Sequence, residues 1–363
     1  MKKRRYLPHL RNPIEPLLTK KVLRVNPTAE PQRAEKNSIR LLVYDYDATR
    51  IEVKEFDRVD SCFPYAATTT TTWINVDGLR KTDVEQLCNS FGIHYLIAED
   101  IQSIGQRPKM DDMEGVLYCV LNMLYFNEQE DAVEIEQISI VLGRNFVISF
   151  QEDARKDVFN PLREKLQVPA SKVRQQRSDF LFYSMLDLIV DNYFLLMEKL
   201  GEKIEVLEED ILRSADNQSL SKINQLRKEM IILKRSIAPV RELLNGILRS
   251  ETELIEDRTE KYIKDVYDHI IQANDLAENY RDMMMNIHDL YINSVNLRMN
   301  EVMKVMAIVT CLLAPATVIG GIFGMNFETI PLLHNKWGFL ISVALMLLVP
   351  IAMMGVFKRR GWF

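Results

Sequence analysis

The sequence is poor in the groupings that usually carry chemistry. Its four cysteines, Cys62, Cys88, Cys119 and Cys311, show no CxxC spacing. That excludes a structural zinc cluster and a disulfide scaffold, and the thiols read as reduced groups of a cytosolic compartment. Its five histidines, His9, His94, His269, His288 and His334, lie in unrelated contexts, with no HExxH and no GxSxG. An enzyme is therefore the weakest functional class. A GxxxxGK[ST] loop is missing as well, which removes an ATP-driven pump.

A basic excess is absent where it would count. The formal net charge of the 363 residues is −5, and it is unevenly shared. Residues 1–40 carry a net +8 and residues 301–363 a net +3, so residues 41–300, with 30 basic and 46 acidic side chains, hold −16. A body of that charge repels phosphate, so nucleic acid is not an expected partner. The first residues, Lys2-Lys3-Arg4-Arg5, are followed by no apolar run, and Pro8, Pro13, Pro16, Pro27 and Pro31 interrupt anything regular. Residues 1–39 read as an untargeted, disordered basic tail.

What the chain does have is two long charge-free runs close to its C-terminal end. Val305–Phe327 contributes 23 residues and Trp337–Phe357 contributes 21, with nine residues between them. Each meets the roughly 20-residue length of a bilayer crossing. Lys358-Arg359-Arg360 follow the second run directly, while the connecting loop holds only Glu328 and Lys336 as formal charges. The positive-inside rule then puts both termini in the cytoplasm, with spans at about 303–325 and 338–357 in a multi-pass protein of the cell (inner or plasma) membrane.

The remaining sequence divides by periodicity. Residues 40–174 form a mixed α/β domain on this reading, with β-rich runs at Ile39–Asp45, Ile51–Phe56, Thr71–Val76, Val116–Phe126, Glu134–Leu142 and Asn145–Phe150. Thr82-Asp83-Val84-Glu85 has the form of a capping box opening a helix that stops at Gly92, and a second helix is expected over Ala154–Leu166. Residues 175–301 are helical in pattern, with breaks near Ser214–Ser219 and Ser250. The last of these helices starts near Asp257, meets no Pro or Gly before Pro315, and runs on as the first span to Asn326, a rod of about 100 Å. Residues 302–363 complete a transmembrane hairpin. The expected class is an α+β cytoplasmic domain, a mixed sheet with flanking helices, plus long stalk helices and a two-helix transmembrane domain.

One side of the long helix is chemically distinctive. Asn296, Met303, Thr310, Thr317 and Gly324 recur at heptad spacing, beside Asn293, Asn300, Ala307, Ala314 and Gly321. Small residues of this kind pack helices together. Packing alone does not call for Asn300 and Thr317, and amide and hydroxyl oxygens on several such helices around an axis make a pore wall. No charged side chain lies inside either span, so a proton relay is not suggested. A lining of neutral oxygens suits an ion that keeps its water, and Mg²⁺ dehydrates reluctantly. Inward movement of a divalent cation down about 100 mV gains about 4.6 kcal/mol, so no other energy source is required.

Gly324-Met325-Asn326 closes the first span before a short loop and a second span, and it resembles the signature of the CorA family of magnesium and cobalt transporters. Asn300-Glu301-Val302-Met303-Lys304-Val305-Met306, Trp337-Gly338, Thr72-Trp73-Ile74-Asn75, the stretch from Leu96 to Ile101, Gln106-Arg107-Pro108-Lys109 and Asp265-Val266-Tyr267-Asp268-His269 resemble it too, in order, over roughly residues 40–363. The resemblance implies a homopentameric funnel in the lipid bilayer, with five first spans lining the pore. It implies that Asn326 holds hydrated Mg²⁺ at the outer mouth, that Asn300 is a polar ring low in the pore, and that Asp289 is a carboxylate ring below it. It further implies that Mg²⁺, both transported and regulatory, binds between neighbouring cytoplasmic domains and closes the channel. The matching carboxylates are Glu99, Asp100, Asp187, Asp265 and Asp268.

Departures accompany the likeness. Phe323 precedes the GMN tripeptide where the family commonly has tyrosine, and Ile330-Pro331-Leu332-Leu333 lacks a carboxylate that the family loop often carries. Met306 and Ala314 occupy positions where bulky apolar gate residues are expected. The function implied is influx of divalent cations, Mg²⁺ first, with Co²⁺ and Ni²⁺ as further candidates. The rivals are a zinc or other transition-metal transporter similar to ZntB, and a membrane-anchored helical structural or sensor oligomer.

Overall fold

The computed structural model describes residues 39–153, 157–326, 330–332 and 335–362. The basic tail before Ile39, and Glu328, Leu333 and His334 of the loop, lie outside the described residues.

Seven strands form one sheet in the order β2-β1-β3-β7-β6-β5-β4. They are β1 Arg40–Tyr46, β2 Ile51–Phe56, β3 Thr71–Asp77, β4 Lys109–Met113, β5 Val116–Asn127, β6 Ala132–Leu142 and β7 Phe146–Gln151. Every pairing is antiparallel except β3 with β7 at the centre, which makes the sheet mixed. One face is covered by a 3₁₀ segment, Val59–Ala67, and by helices α1 Lys81–Ser90 and α2 Tyr95–Gln102. Ile74, Val76, Ile148 and Phe150 of the central strands share a core there with Val84, Leu87, Ile97 and Ile101 of those helices. Burial of such side chains contributes about 1.5–3 kcal/mol each.

The central parallel pair carries a buried polar chain. The Trp73 indole N–H donates to Ser149 Oγ (2.9 Å), and that hydroxyl donates to Asn75 Oδ1 (2.7 Å). Gln151 Nε2 donates to Asp77 Oδ1 (2.5 Å) and to Asp157 Oδ2 (3.0 Å). The register Asn75↔Ser149 and Asp77↔Gln151 places these partners side by side. A buried polar group left unpaired would cost about 1–3 kcal/mol, so the pairing is a condition for polar residues at the sheet centre.

The opposite side is helical. After α3 Asn160–Gln167 and α4 Lys172–Gln175 come three long helices, α5 Ser178–Arg213, α6 Asn217–Arg249 and α7 Asp257–Phe323, and then α8 Gly338–Arg359. Tyr193 of α5 donates its hydroxyl to the Asn122 carbonyl (2.6 Å) and Asn192 bonds the Leu124 carbonyl, which ties α5 to β5.

Two expectations need correction. Thr82 is not the cap of α1: the helix starts at Lys81 after Arg80, which makes no side-chain cap bond. Asp83 places a carboxylate in the first turn, where the positive end of the helix favours it, and it pairs with Arg80 at 2.5 Å. The helix expected over Ala154–Leu166 begins at Asn160, after an Asp157 turn in which Asp157 Oδ1 accepts the Phe159 amide, and Pro161 occupies its first turn. Strand β4 and helix α2 were not anticipated.

The chain divides into two compact units. The first comprises the described residues up to 201 and from 228 to 281, the second those from 202 to 227 and from 282 onward. In the second unit α8 and the last third of α7 are apolar and bare. Among the described residues three helices are long and apolar enough to cross a membrane, α5, α7 and α8. The apolar window of α5 is 61% buried in the fold, whereas those of α7 and α8 are 6% buried, so α5 already has protein as its solvent.

Candidate ion pathway and metal site

The last third of α7 is mostly exposed, with Val305, Val309, Leu313, Val318 and Ile322 as open as its polar residues. Ile308, Leu312, Pro315, Ala316, Ile319 and Phe323 are buried or half-buried and fall on one side. Asn293, Asn296, Asn300, Met303, Ala307, Thr310, Ala314, Thr317, Gly321 and Gly324 are all exposed, and they make the stripe seen in the sequence. Met306 flanks it at 63% exposure. Thr310 and Thr317 donate their hydroxyls to the carbonyls of Met306 (2.9 Å) and Leu313 (3.1 Å) on their own helix. Each hydroxyl therefore presents its oxygen as an acceptor on the exposed stripe, which is what the protons of a hydration shell require.

The stripe ends in the GMN tripeptide. Helix α7 terminates with the Gly324 amide on the Gly320 carbonyl (3.0 Å) and the Met325 amide on the Ile322 carbonyl (3.3 Å), and Met325 and Asn326 are exposed beyond it. A Cβ at position 324 would come within 3.1 Å of the Gly320 carbonyl. At the entry to α8 a Cβ on Gly338 would lie 2.1 Å from the Leu332 carbonyl, so glycine is required there by space alone. Asn335 completes that turn, with Oδ1 accepting the Trp337 amide at 3.0 Å. At the other end of the stripe Asp289 is exposed, with His288 Nδ1 at 3.7 Å from its carboxylate.

The carboxylates Glu99, Asp100, Asp187, Asp265 and Asp268 fall into separate places in the first unit. Glu99 and Asp100 end α2; Glu99 is exposed, and Asp100 is half-buried with Lys109 Nζ at 2.5 Å and Gln106 Nε2 at 2.7 Å. Asp265 and Asp268 are exposed on α7. Asp187 of α5 lies with Asp191, one turn on, and with His269 of α7; one potential ligand atom from each of the three lies within 4.8 Å of the others. Among the described residues this is the one such trio, and Glu99, Asp100, Asp265 and Asp268 join none. Burial first, then the neighbouring Asp191 carboxylate, pushes Asp187 above the usual carboxylate range, against the Tyr183 hydroxyl (3.3 Å) and His269. His269 Nδ1 is itself buried and has no hydrogen-bond partner. Two carboxylates and an imidazole can hold a divalent ion, and the nitrogen favours Co²⁺, Ni²⁺ or Zn²⁺ over Mg²⁺. Sequence reasoning found Asp187 but missed Asp191 and His269. The i, i+4 spacing of the two aspartates on an expected helix was the available signal.

The family model for the CorA-like Mg²⁺ transporter protein matches residues 69–359. The chain belongs to the CorA family. It is 39% identical over 314 residues to the cobalt/magnesium transport protein CorA of Thermotoga maritima, covering 86% of this chain and 89% of that one. It is 20% identical over 308 residues to the zinc transport protein ZntB of Yersinia pseudotuberculosis, covering 82% and 89%. In fold it is similar to the complete structure of the CorA magnesium transporter from Methanocaldococcus jannaschii, with a TM-score of 0.73 and 23% identity over 89% of this chain and 98% of that one.

Proposed function

We propose that this CorA-family chain assembles as a homopentameric funnel that admits Mg²⁺, with Co²⁺ and Ni²⁺ as further substrates, down the membrane potential. Helices α7 and α8 supply the two spans, with both termini in the cytoplasm and the GMN loop outside. The single observation that carries this is the exposed stripe from Asn293 to Gly324, which ends at exposed Met325 and Asn326. Copies of the chain around an axis would turn the stripe into a wall of amide, hydroxyl and small side chains, with Asn326 at the mouth and Asn300, Met303, Met306 and Thr317 along it. Asp289 would add a carboxylate ring at the inner end. These groups can bond the water of a hydrated ion without stripping it.

Closure is assigned to cytoplasmic Mg²⁺ held between protomers by Glu99, Asp100, Asp187, Asp265 and Asp268. The −16 of residues 41–300 supports this, because a cation relieves repulsion between copies. A zinc-transporting alternative draws support from the His269 trio and from the likeness to ZntB. One experiment separates the two: flux into liposomes of Mg²⁺, Co²⁺, Ni²⁺ and Zn²⁺ compared side by side, with and without a proton gradient. Mg²⁺ flux driven by potential alone supports the channel, and flux of Zn²⁺ alone, dependent on protons, overturns it.

A further inference from the structure

Asp100, a sensor carboxylate on the reading above, already holds a cation of its own protomer. Lys109, the first residue of β4, places Nζ 2.5 Å from Asp100 Oδ2. Gln106 Nε2 donates to the other oxygen at 2.7 Å. Gln106 is fixed in turn, since its amide N–H donates to Gln137 Oε1 (3.1 Å) and Gln137 Nε2 donates to the Ser103 carbonyl (2.8 Å). An open cleft of about 520 Å³ lies against these groups, lined by Asp100, Gln106, Arg107, Pro108, Lys109 and Glu242. Arg107 is paired with Glu242 at 3.1 Å, so Lys109 is the cationic group in that lining that engages Asp100.

Lys109 has a second carboxylate within reach. Asp111 Oδ2 lies 3.1 Å from the same Nζ, two residues further along β4. An ammonium shared by two carboxylates can leave one without becoming unpaired. We infer that Lys109 is a built-in competitor of the regulatory cation at Asp100, and that Asp111 receives the ammonium when a divalent ion takes Asp100. The inference rests on Asp100 being a sensor ligand. A divalent ion approaching Asp100 meets a carboxylate whose charge is neutralised and whose oxygens are both engaged. It must displace the ammonium or bind against its repulsion, and either raises the concentration needed for closure. Asp111 offsets part of that cost, so the two residues set the threshold in opposite directions.

The test is the half-closing internal Mg²⁺ concentration of the full-length protein in liposomes, each curve normalised to flux without internal Mg²⁺. Lys109→Met should lower that concentration about threefold, the scale of a partly exposed ion pair. Asp111→Asn should raise it, because Lys109 then has Asp100 as its sole remaining partner of this pair. Asp100→Asn should raise it most, and adding Lys109→Met to Asp100→Asn should change nothing further. A raised or unchanged value in Lys109→Met, with Asp100→Asn shifted, overturns the competition and leaves the sensor assignment standing. If Asp100→Asn closes at the wild-type concentration, both fall. Should Lys109→Met fail to assemble, Asp111→Asn decides: a lowered or unchanged value there overturns the proposal.

Discussion

The sheet centre and the last third of α7 treat polar side chains in opposite ways. At the sheet centre Trp73, Ser149, Asn75, Gln151 and Asp77 are buried and bonded to one another. Along α7 the side chains of Asn293, Asn296, Asn300, Thr310 and Thr317 lie exposed, and the two threonines spend their protons on their own helix. The first arrangement is bonded largely within the fold, with Gln151 Oε1 the one atom of these side chains left unpaired, and it stabilises the sheet. The second leaves acceptors pointing outward, in a stretch whose charge-free length suits a membrane, and it is complete only when something polar arrives. Inward pairing serves the fold in this chain, and the outward acceptors are the groups that the proposed pore would use.

The sharpest way to break this contrast is at the end of the stripe. Asn326→Ala should reduce Mg²⁺ flux at least tenfold, because a methyl cannot bond the water shell, while melting temperature and assembly stay at wild type. Wild-type flux from correctly inserted protein would end the assignment. The reverse result is expected at the sheet: Trp73→Ala should cost about 3–5 kcal/mol of stability, read by denaturant unfolding of the detergent-solubilised protein.

A smaller effect is expected at the cytoplasmic carboxylates, which inhibit on this reading. Asp100→Asn combined with Asp265→Asn should weaken closure by internal Mg²⁺ severalfold without lowering flux in its absence. Unchanged inhibition would remove both residues from the sensor. Between the two regions, α7 runs from Asp257 to Phe323 without a break. Inserting two glycines after Asn286 should uncouple closure from internal Mg²⁺, at a helix cost of about 1 kcal/mol each. Two alanines inserted there keep the helix but rotate one end by about 200°. If both insertions still close at the wild-type concentration, α7 is a spacer.

The smallest expected effect is a pH dependence. Burial pushes the Asp77 carboxyl above its usual range, although Gln151 and Asn75 donate to it. The raised value means that its share of stability is present in acid and is lost as pH rises through the folded value. Asp77→Asn should flatten that dependence, so the difference in melting temperature between acid and neutral pH should shrink relative to wild type.

Much of this was legible in the sequence because it is local. β2 appears at Ile51–Phe56 as expected, the other expected strands lie within two residues of their runs, and α7 begins at Asp257. Such segments announce themselves by period. Strand β4, Lys109-Met110-Asp111-Asp112-Met113, has little apolar alternation and sits at the sheet edge, where pairing with β5 creates it. Helix α2 opens on His94, whose ring accepts the Leu96 amide at 3.3 Å, a cap that no common signature covers. The exposed stripe on α7 was visible because helical spacing alone defines it. The Lys109–Asp100 contact and the His269 trio were not visible, because each depends on which elements the fold brings together.

Both compact units are discontinuous in sequence. The first ends at Arg281, and the charge-free runs begin at Val305 and Trp337. During synthesis the ribosome therefore delivers every residue of the sheet and its helical cover before the first residue of either run. The acidic body can collapse around its own core while the apolar segments are still unmade, so membrane insertion of those runs follows the synthesis of the sheet. A chain with the reverse order would expose its greasiest part first, with nothing folded to follow it.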